Sequence, residues 1–185
     1  MEVFHIHFSV RNGSVWTQCY TSTANNTVVD VSVSMDVTNQ SAVLQRVVDN
    51  EVDMAIMGQP PKESQVEAIP FMDNPLVVIA RPDHPLAGKK NIPVEKLLGE
   101  PFIGREPASG TRQARERFFA ARGEEGFRET MEMSSNEAIK HAIVGGLGIS
   151  VLSLHTLALE GAHGPVSLLD VEGFPIMRQW YMVHP

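Results

Sequence analysis

Two short polar stretches have the residue types and the position needed to bind an anion. The first runs from Ser109 to Arg112 and the second from Ser134 to Glu137. Each follows a predicted strand and begins a predicted helix, where unpaired N–H groups and the positive end of the helix dipole attract negative charge. The first stretch adds hydroxyl groups and a guanidinium that suits a carboxylate or a phosphate. We predict ligand contacts here from Ser109, Gly110, Thr111, Arg112, Ser135 and Asn136.

A simpler explanation stays open for each of these residues. Ser109 and Ser135 are favoured N-cap residues, so helix capping alone accounts for them, and Arg112 would then extend into solvent. A further candidate, Met57-Gly58-Gln59, ends a predicted central strand, where the glycine lets a ligand approach the backbone. A plain strand end explains that stretch nearly as well. The glycines at 145–148 follow a predicted helix instead of opening one, so they are not a dinucleotide-binding fingerprint.

The sequence offers no recognisable catalytic or metal-binding motif. It contains no nucleophile elbow, P-loop, zinc-ligand spacing or kinase signature. His5 and His7 share one face of a predicted strand, but no further metal ligand can be assigned to them. Cys19 is interpreted as a buried or incidental thiol. We therefore predict a protein that is not an enzyme and that needs no cofactor and no metal.

The composition is that of a globular protein with one large or two small domains. The chain has 185 residues, of which 43% are hydrophobic and 20% charged, and its formal net charge is −7. This acidic balance lacks the basic footprint of a nucleic-acid binder. The single cysteine excludes an internal disulfide and suits a reducing compartment. Because neither a signal peptide nor an apolar span is recognisable, we expect a cytoplasmic protein without membrane contact.

Hydrophobic periodicity predicts strands that alternate with helices. Phe4–Phe8 and Val29–Met35 alternate apolar and polar residues as half-buried strands do, Ser41–Asn50 has a helical apolar face, and Val52–Gly58 is a buried strand. Parallel strands need a crossover, so a helix is expected within Arg11–Thr27, although its helix propensity is poor. The first third of the chain thus predicts a parallel α/β pattern.

The rest of the chain continues the alternation and returns to the first half at its end. We place a crossing between two subdomains near Ala80 and the return at Met177. Subdomain I then comprises residues 1–80 and 177–185, and subdomain II comprises residues 81–176. Strands are predicted at Pro75–Pro82, Phe102–Gly104, Glu129–Met133, Ile149–Ser153, Val166–Val171 and Met177–Val183, and helices at Val94–Gly99, Thr111–Arg122 and Asn136–Val144.

Several of these stretches, in this order, resemble the effector-binding domain of LysR-type transcriptional regulators. Residues 50–58 look like the third strand of the family's first subdomain, and residues 80–87 look like its turn after the crossing strand. Residues 145–150 look like its Gly-rich helix end. Residues 105–112 and 132–140, with Met57–Pro61 and Met177–Tyr181, narrow the resemblance to the CbbR group, the LysR-type activators of Calvin-cycle carbon-fixation operons.

The resemblance implies a fold, a site and a function. The fold would be two Rossmann-like subdomains joined by two crossing strands, as in type 2 periplasmic binding proteins. The effector would lie in the cleft between them, with contacts from Thr38, Asn39 and Gln40 at the start of the second helix and from Gly146 at the Gly-rich helix end. The ligand would be a small anionic metabolite, such as NADPH or a phosphorylated sugar or acid. The chain would pair into homodimers, and into tetramers when full length.

Two features depart from the family pattern, and two other functions stay open. Residues 9–24 do not keep the family's first-strand contacts and first helix, and the winged helix-turn-helix through which full-length members bind DNA is not recognised. One alternative is a free-standing solute-binding protein of the periplasmic type, which shares the two-subdomain plan. The other is an enzyme on the same scaffold, which would need a convergent acid, base or nucleophile in the cleft.

Overall fold

A computed structural model of the chain describes residues 3–11, 30–123, 129–157 and 164–185, and for residues 3–11 and 30–37 it describes the strands alone. Two short 3-10 helices cover Val94–Leu97 and Leu154–Leu157. The helices and strands are β1 (Val3–Arg11), β2 (Asp30–Thr38), α1 (Gln40–Val48), β3 (Met54–Met57), β4 (Glu67–Asp73), β5 (Leu76–Ala80), β6 (Phe102–Arg105), α2 (Gly110–Ala120), β7 (Glu129–Met133), α3 (Asn136–Val144), β8 (Ser150–Ser153), β9 (Ser167–Leu169) and β10 (Gln179–His184).

The first and last parts of the chain share one five-stranded sheet. Its strand order is β2-β1-β3-β10-β4, so β10 returns from the C-terminal end of the chain to lie between two earlier strands. Helix α1 covers this sheet through Val43 and Val47, which are fully buried against β3 and β10. Burial of such side chains contributes about 1.5–3 kcal/mol each.

The parallel pattern predicted for the first strands is wrong. β1 pairs antiparallel with β2 along its whole length, from Val3 opposite Thr38 to Arg11 opposite Asp30, and it also pairs antiparallel with β3. Alternation of apolar and polar residues identifies a strand but does not determine the direction of its neighbour. Antiparallel neighbours need no crossover helix. The helix predicted within Arg11–Thr27 falls on residues 12–29, which lie outside the described residues, as does Cys19.

The middle of the chain forms a second layer of strands between two helices. β8, β5 and β9 make one sheet, β6 and β7 pair in parallel, and a bridge between Phe102 and Ile149 places β6 beside β8. Ala114 and Phe119 of α2 pack on one face of this layer, and Ile139 and Ile143 of α3 pack on the other. The layer is thus covered by helices on both sides, which is typical of Rossmann-like folds.

Two segments cross between the five-stranded sheet and the second layer of strands, and they are hydrogen-bonded to each other. The first, Asn74–Pro75, joins β4 to β5, and the second, Ile176–Arg178, leads into β10. Asn74 N donates to Arg178 O (2.7 Å), and Leu76 and Ile176 exchange two backbone hydrogen bonds (2.9 and 3.0 Å). The predicted division at Ala80 and Met177 stays a prediction, but the pairing of β5 with β8 and β9 favours the first crossing at Asn74–Pro75.

Polar N-cap residues begin helices α1, α2 and α3, and two of them, Ser109 and Ser135, are the caps that the sequence predicts. Asn39 Oδ1 accepts from Ala42 N (3.0 Å), Ser109 Oγ from Thr111 N (3.2 Å) and Ser135 Oγ from Ala138 N (3.3 Å). The bounds predicted for α3 are confirmed, and Gly146 ends that helix with a φ of 79°, the left-handed conformation expected of a glycine cap. No helix within the described ranges is both long enough and apolar enough to cross a membrane.

Candidate functional site

A cleft of about 1030 Å³ opens where the five-stranded sheet, helix α2 and the second crossing segment meet. Its size is at the upper end of the range of small-molecule sites, roughly 300–1,000 Å³. The five-stranded sheet, helix α2 and one crossing segment contribute to its lining, so a ligand there contacts both halves of the molecule at once.

Helix α2 forms one wall of the cleft with a single face. The residues on this face recur at helical spacing, as expected for positions that share one side of a helix. They are Gly110, Gln113, Ala114, Arg117, Phe118 and, just after the helix, Ala121. The wall therefore runs the full length of α2, from its N-terminus to its C-terminus.

The opposite wall comes from the end of β3 and the start of α1. Gly58, Gln59 and Pro60 line the cleft after β3, and Gln40, the first residue of α1, lies beside them. Gln40 Nε2 donates to Gln59 O (3.1 Å), so the start of the helix holds the loop after the strand. Since Gly58 has no side chain, a ligand can approach the backbone there.

Arg178 of the second crossing segment lies at the junction of the two walls. Its Nη1 donates to Gly110 O (3.0 Å), in the first turn of α2, while its backbone oxygen accepts from Asn74 N. Burial, and secondarily the charge of Arg117, lower the pKa of Arg178 from its ordinary value to about 10. The side chain is still a cation at neutral pH, and an anion in the cleft would offset both effects by its attraction to the charge.

The cleft is positively charged in a chain whose net charge is −7. Four cationic side chains line it, Lys62, Arg117, Arg122 and Arg178, against one carboxylate, Asp73. Such a local excess of one charge, within low-dielectric walls, concentrates ligands of the opposite charge.

Two helix N-termini add to this positive character. The first residues of α1 and α2, Gln40 and Gly110, both line the cleft, and neither helix has an acidic residue in its first turn. Helix α3 differs, because Glu137 occupies its first turn. The N-terminus of each of these helices favours a nearby anion by about 0.3–1 kcal/mol.

The structure brings only part of the predicted site together in the cleft. Gln40, Gly58, Gln59 and Gly110 line it. Ser109 and Thr111 are buried beside Gly110 (each 2% exposed), where Ser109 caps α2.

Arg112 lies on the opposite side of α2 from the cleft. Its Nε donates to Glu116 (2.8 Å) and its Nη1 to Glu132 (2.8 Å) and to Arg105 O (2.9 Å). Hydrogen bonding to Glu116, chiefly, raises its pKa above the ordinary value. The guanidinium is thus occupied by carboxylates of the chain itself.

The remaining predicted residues lie near the walls or away from them. Thr38 ends β2, Asn39 caps α1, and Met57 is fully buried in the core beneath the cleft wall. Asn136, 5% exposed, accepts from Arg105 Nη1 (2.5 Å), and its neighbour Ser135 caps α3. Gly146 is at the far end of α3, where an added Cβ would lie 2.8 Å from Arg81 Nη1. Whether these residues touch a ligand stays a prediction.

The residues missed from the sequence are mainly the cations of the cleft. Arg117 follows Gly110 by seven residues, two helical turns along the same face, so its position was open to a helical-face argument. Arg178 carries no such local signal, because only the pairing of the two crossing segments brings it to α2. Within the part of the chain that the structure describes, no cluster of three His, Cys, Asp or Glu residues could hold a metal ion.

Two α/β subdomains joined by two crossing segments, with a cleft between them, define a type 2 periplasmic-binding-protein-like effector domain. The family model of the LysR substrate binding domain matches residues 24–185, and the chain belongs to that family. It is the effector-binding domain of a LysR-type regulator.

Relatives and solved structures agree with this assignment. The RuBisCO operon transcriptional regulator of Allochromatium vinosum is 53% identical over 154 residues, 83% of this chain and 51% of the relative. The HTH-type transcriptional regulator CbbR of Cereibacter sphaeroides is 36% identical over 156 residues, 84% of this chain and 50% of the relative. This chain spans about half the length of these curated relatives. They are named as regulators of transcription and not as enzymes.

One solved structure is similar in both sequence and shape. The regulatory domain of Synechocystis PCC6803 CcmR in complex with 2-PG has 51% sequence identity and a TM-score of 0.75, covering 80% of this chain and 70% of that one. The effector-binding domain of QuiR in complex with shikimate, at 21% identity and a TM-score of 0.69, shares the fold.

Proposed function

We propose that this chain binds a small anionic metabolite in the cleft and thereby regulates transcription of carbon-fixation genes. The observation that carries the proposal is the convergence of Arg178 with the N-termini of α1 and α2 on one cleft. A phosphate or carboxylate placed there accepts hydrogen bonds from backbone N–H groups and from the guanidinium. The similar CcmR domain in complex with 2-PG supports a ligand of this class.

The effector contacts that we propose differ in part from those predicted from the sequence. Gln40, Gly58, Gln59 and Gly110 keep their predicted role, because they line the cleft. Arg178 takes the place of Arg112 as the guanidinium that pairs with the anion. The candidate effectors are 2-PG and other phosphorylated acids, phosphorylated sugars and NADPH.

Regulation would follow from the position of the ligand between the two subdomains. A ligand can shift the balance of two arrangements only by binding one of them better. Here the anion would contact α1 of one subdomain and α2 of the other, while Arg178 is hydrogen-bonded to α2 and to the first crossing segment. Closure around the anion would therefore change the angle at the crossing segments.

The wider assembly is proposed from the family. Several of the relatives are named HTH-type regulators, which supports a DNA-binding helix-turn-helix elsewhere in the full-length protein. We propose a cytoplasmic homodimer of this domain, with tetramers when full length, in which DNA contact is made by that separate part. The free-standing solute-binding protein is not favoured, since the relatives are regulators of transcription.

A calorimetric titration of the chain with 2-PG tests the proposal. We expect saturable binding to the wild type and roughly 10- to 100-fold weaker binding to Arg178→Gln, since a hydrogen bond to a charged group contributes about 1.5–3 kcal/mol. Lys89→Gln is the matched control, because it removes one positive charge from an exposed position outside the cleft lining. Equal binding by Arg178→Gln and wild type would refute the site; no binding of 2-PG, a phosphorylated sugar or NADPH would refute the proposed ligand class.

A further inference from the structure

The arginines on the two sides of α2 are in opposite electrostatic situations. On the side away from the cleft, Arg112 pairs with Glu116 and Glu132, and Arg115 pairs with Glu129. On the cleft side, Arg117 and Arg122 form no salt bridge with any carboxylate in the described ranges.

Arg122 packs against Phe118 and has no carboxylate partner among the described residues. Its Nη1 donates to Phe118 O (3.2 Å), and its guanidinium lies 3.6 Å from the centroid of the Phe118 ring. Gly173 packs so closely that an added Cβ would lie 2.5 Å from Arg122 Nη2. A guanidinium held in this way needs little further ordering before it binds an anion, which favours affinity.

Arg117 lies farther along α2 than Gly110, whose backbone oxygen accepts from Arg178. Arg117 follows Gly110 by seven residues, which at 1.5 Å per residue is roughly 10 Å along the axis of α2. Gln113 and Ala114 occupy the stretch of wall between them. The amide of Gln113 can hydrogen-bond to hydroxyl groups, and Ala114 leaves room for a ligand backbone. A single small anion at Arg178 would fill only part of the cleft of about 1030 Å³.

We propose that Arg117 and Arg122 form an outer anion subsite, which binds the second phosphate or carboxylate of an elongated, hydroxylated metabolite whose first anionic group lies at Arg178. This inference rests on the proposed function, and it defines the ligand class more narrowly: an anionic group at each end, with a polar middle. Lys62, which lines the facing wall, adds a third positive charge to the opening.

A matched pair of ligands tests the outer subsite. Fructose 6-phosphate and fructose 1,6-bisphosphate share one skeleton and differ by the second phosphate, so the ratio of their dissociation constants reports on that group alone. We expect the bisphosphate to bind wild type about tenfold or more tightly, because a guanidinium–phosphate contact is charge-assisted. Arg117→Gln with Arg122→Gln is expected to bring the ratio close to one. Because the loss of positive charge from the cleft weakens both ligands in common, the ratio and not the absolute affinity is the readout.

Controls separate a subsite from general attraction between charges. Lys89→Gln, with the same loss of charge at an exposed position outside the cleft lining, is expected to keep the ratio. If the double variant fails to fold, Arg117→Gln alone serves, because that side chain is exposed. A ratio near one in wild type, or a ratio that survives in the variants, overturns the outer subsite and leaves the inner one intact. Failure of both ligands to bind overturns the two together.

Discussion

Replacing Arg178 by methionine is predicted to make the protein more stable and unable to respond to its ligand. Methionine has a similar length, no charge and an adaptable apolar side chain. Wild type keeps a cation in a buried position next to Arg117, and the pKa of Arg178 is lowered to about 10 for that reason. The variant removes this unfavourable charge together with the group that attracts the anion.

The expected gain can be worked out from the lowered pKa. At about 1.36 kcal/mol per pH unit, the difference from the ordinary value of an arginine corresponds to roughly 3 kcal/mol. Loss of the hydrogen bond to Gly110 O offsets about 1 kcal/mol of this, and the loss of other contacts of Arg178 offsets more. A net gain of about 1–2 kcal/mol would raise Tm by roughly 2–8 °C in a domain of this size.

The pH dependence has a definite sign. Because the pKa of this base is lower in the folded than in the unfolded state, its charged form destabilises the fold below about pH 10. The advantage of Arg178→Met is therefore fully present at neutral pH and declines as the pH rises above 10.

Thermal unfolding of both proteins, with and without 2-PG, is the assay. The Tm of wild type should rise when 2-PG is added, since a ligand that binds only the folded state stabilises it. Arg178→Met should have a higher Tm than wild type without ligand, and its Tm should rise little when 2-PG is added. A lower Tm for the unliganded variant would refute the account of a strained, buried cation. A full ligand response in the variant would refute the role of Arg178 in binding.

Three further substitutions separate stability from binding. Arg112→Ala should lower stability by about 2 kcal/mol, because it breaks hydrogen bonds to two carboxylates and to Arg105 O, yet leave the calorimetric affinity for 2-PG unchanged; a large loss of affinity would return Arg112 to the site. Asn39→Ala removes the cap of α1 and should cost about 1 kcal/mol in urea unfolding, whereas an unchanged midpoint would mean that the cap contributes nothing. Gly148→Ala should cost about 3 kcal/mol or more, because the glycine has a φ of 149° and the new Cβ would meet Pro101 O at 2.2 Å; wild-type stability in that variant would contradict the close approach.

The elements that could be predicted from the sequence are those with strong local signals. Ser135, a helical apolar period and a glycine stop define α3, and the structure has the predicted bounds. β4 gives no such signal: it is an edge strand with most of its residues exposed and a proline at position 70, so no face alternates. The antiparallel pairing of β1 with β2 could also not be predicted from the local sequence pattern, because alternation of apolar and polar residues does not determine strand direction.

Some residues of the candidate site could likewise be predicted from the sequence, and others could not. Gly58 and Gly110 could be predicted because a strand end and a helix start are visible in the sequence, and both line the cleft. The side of α2 that a residue faces depends on which side packs against the sheet, and this placed Arg112 among carboxylates and Arg117 in the cleft. The position of Arg178 in the cleft depends on the pairing of two crossing segments that lie about a hundred residues apart in the chain. A single sequence does not reveal that pairing.

A crystal structure of this chain grown with 2-PG would test the central claim most directly. We predict density for the anion between the start of α2 at Gly110 and the start of α1 at Gln40, with its negatively charged group within hydrogen-bond distance of the Arg178 guanidinium. Density for 2-PG elsewhere, at Arg112 or outside the cleft, with Arg178 still bonded only to the protein, would contradict the account.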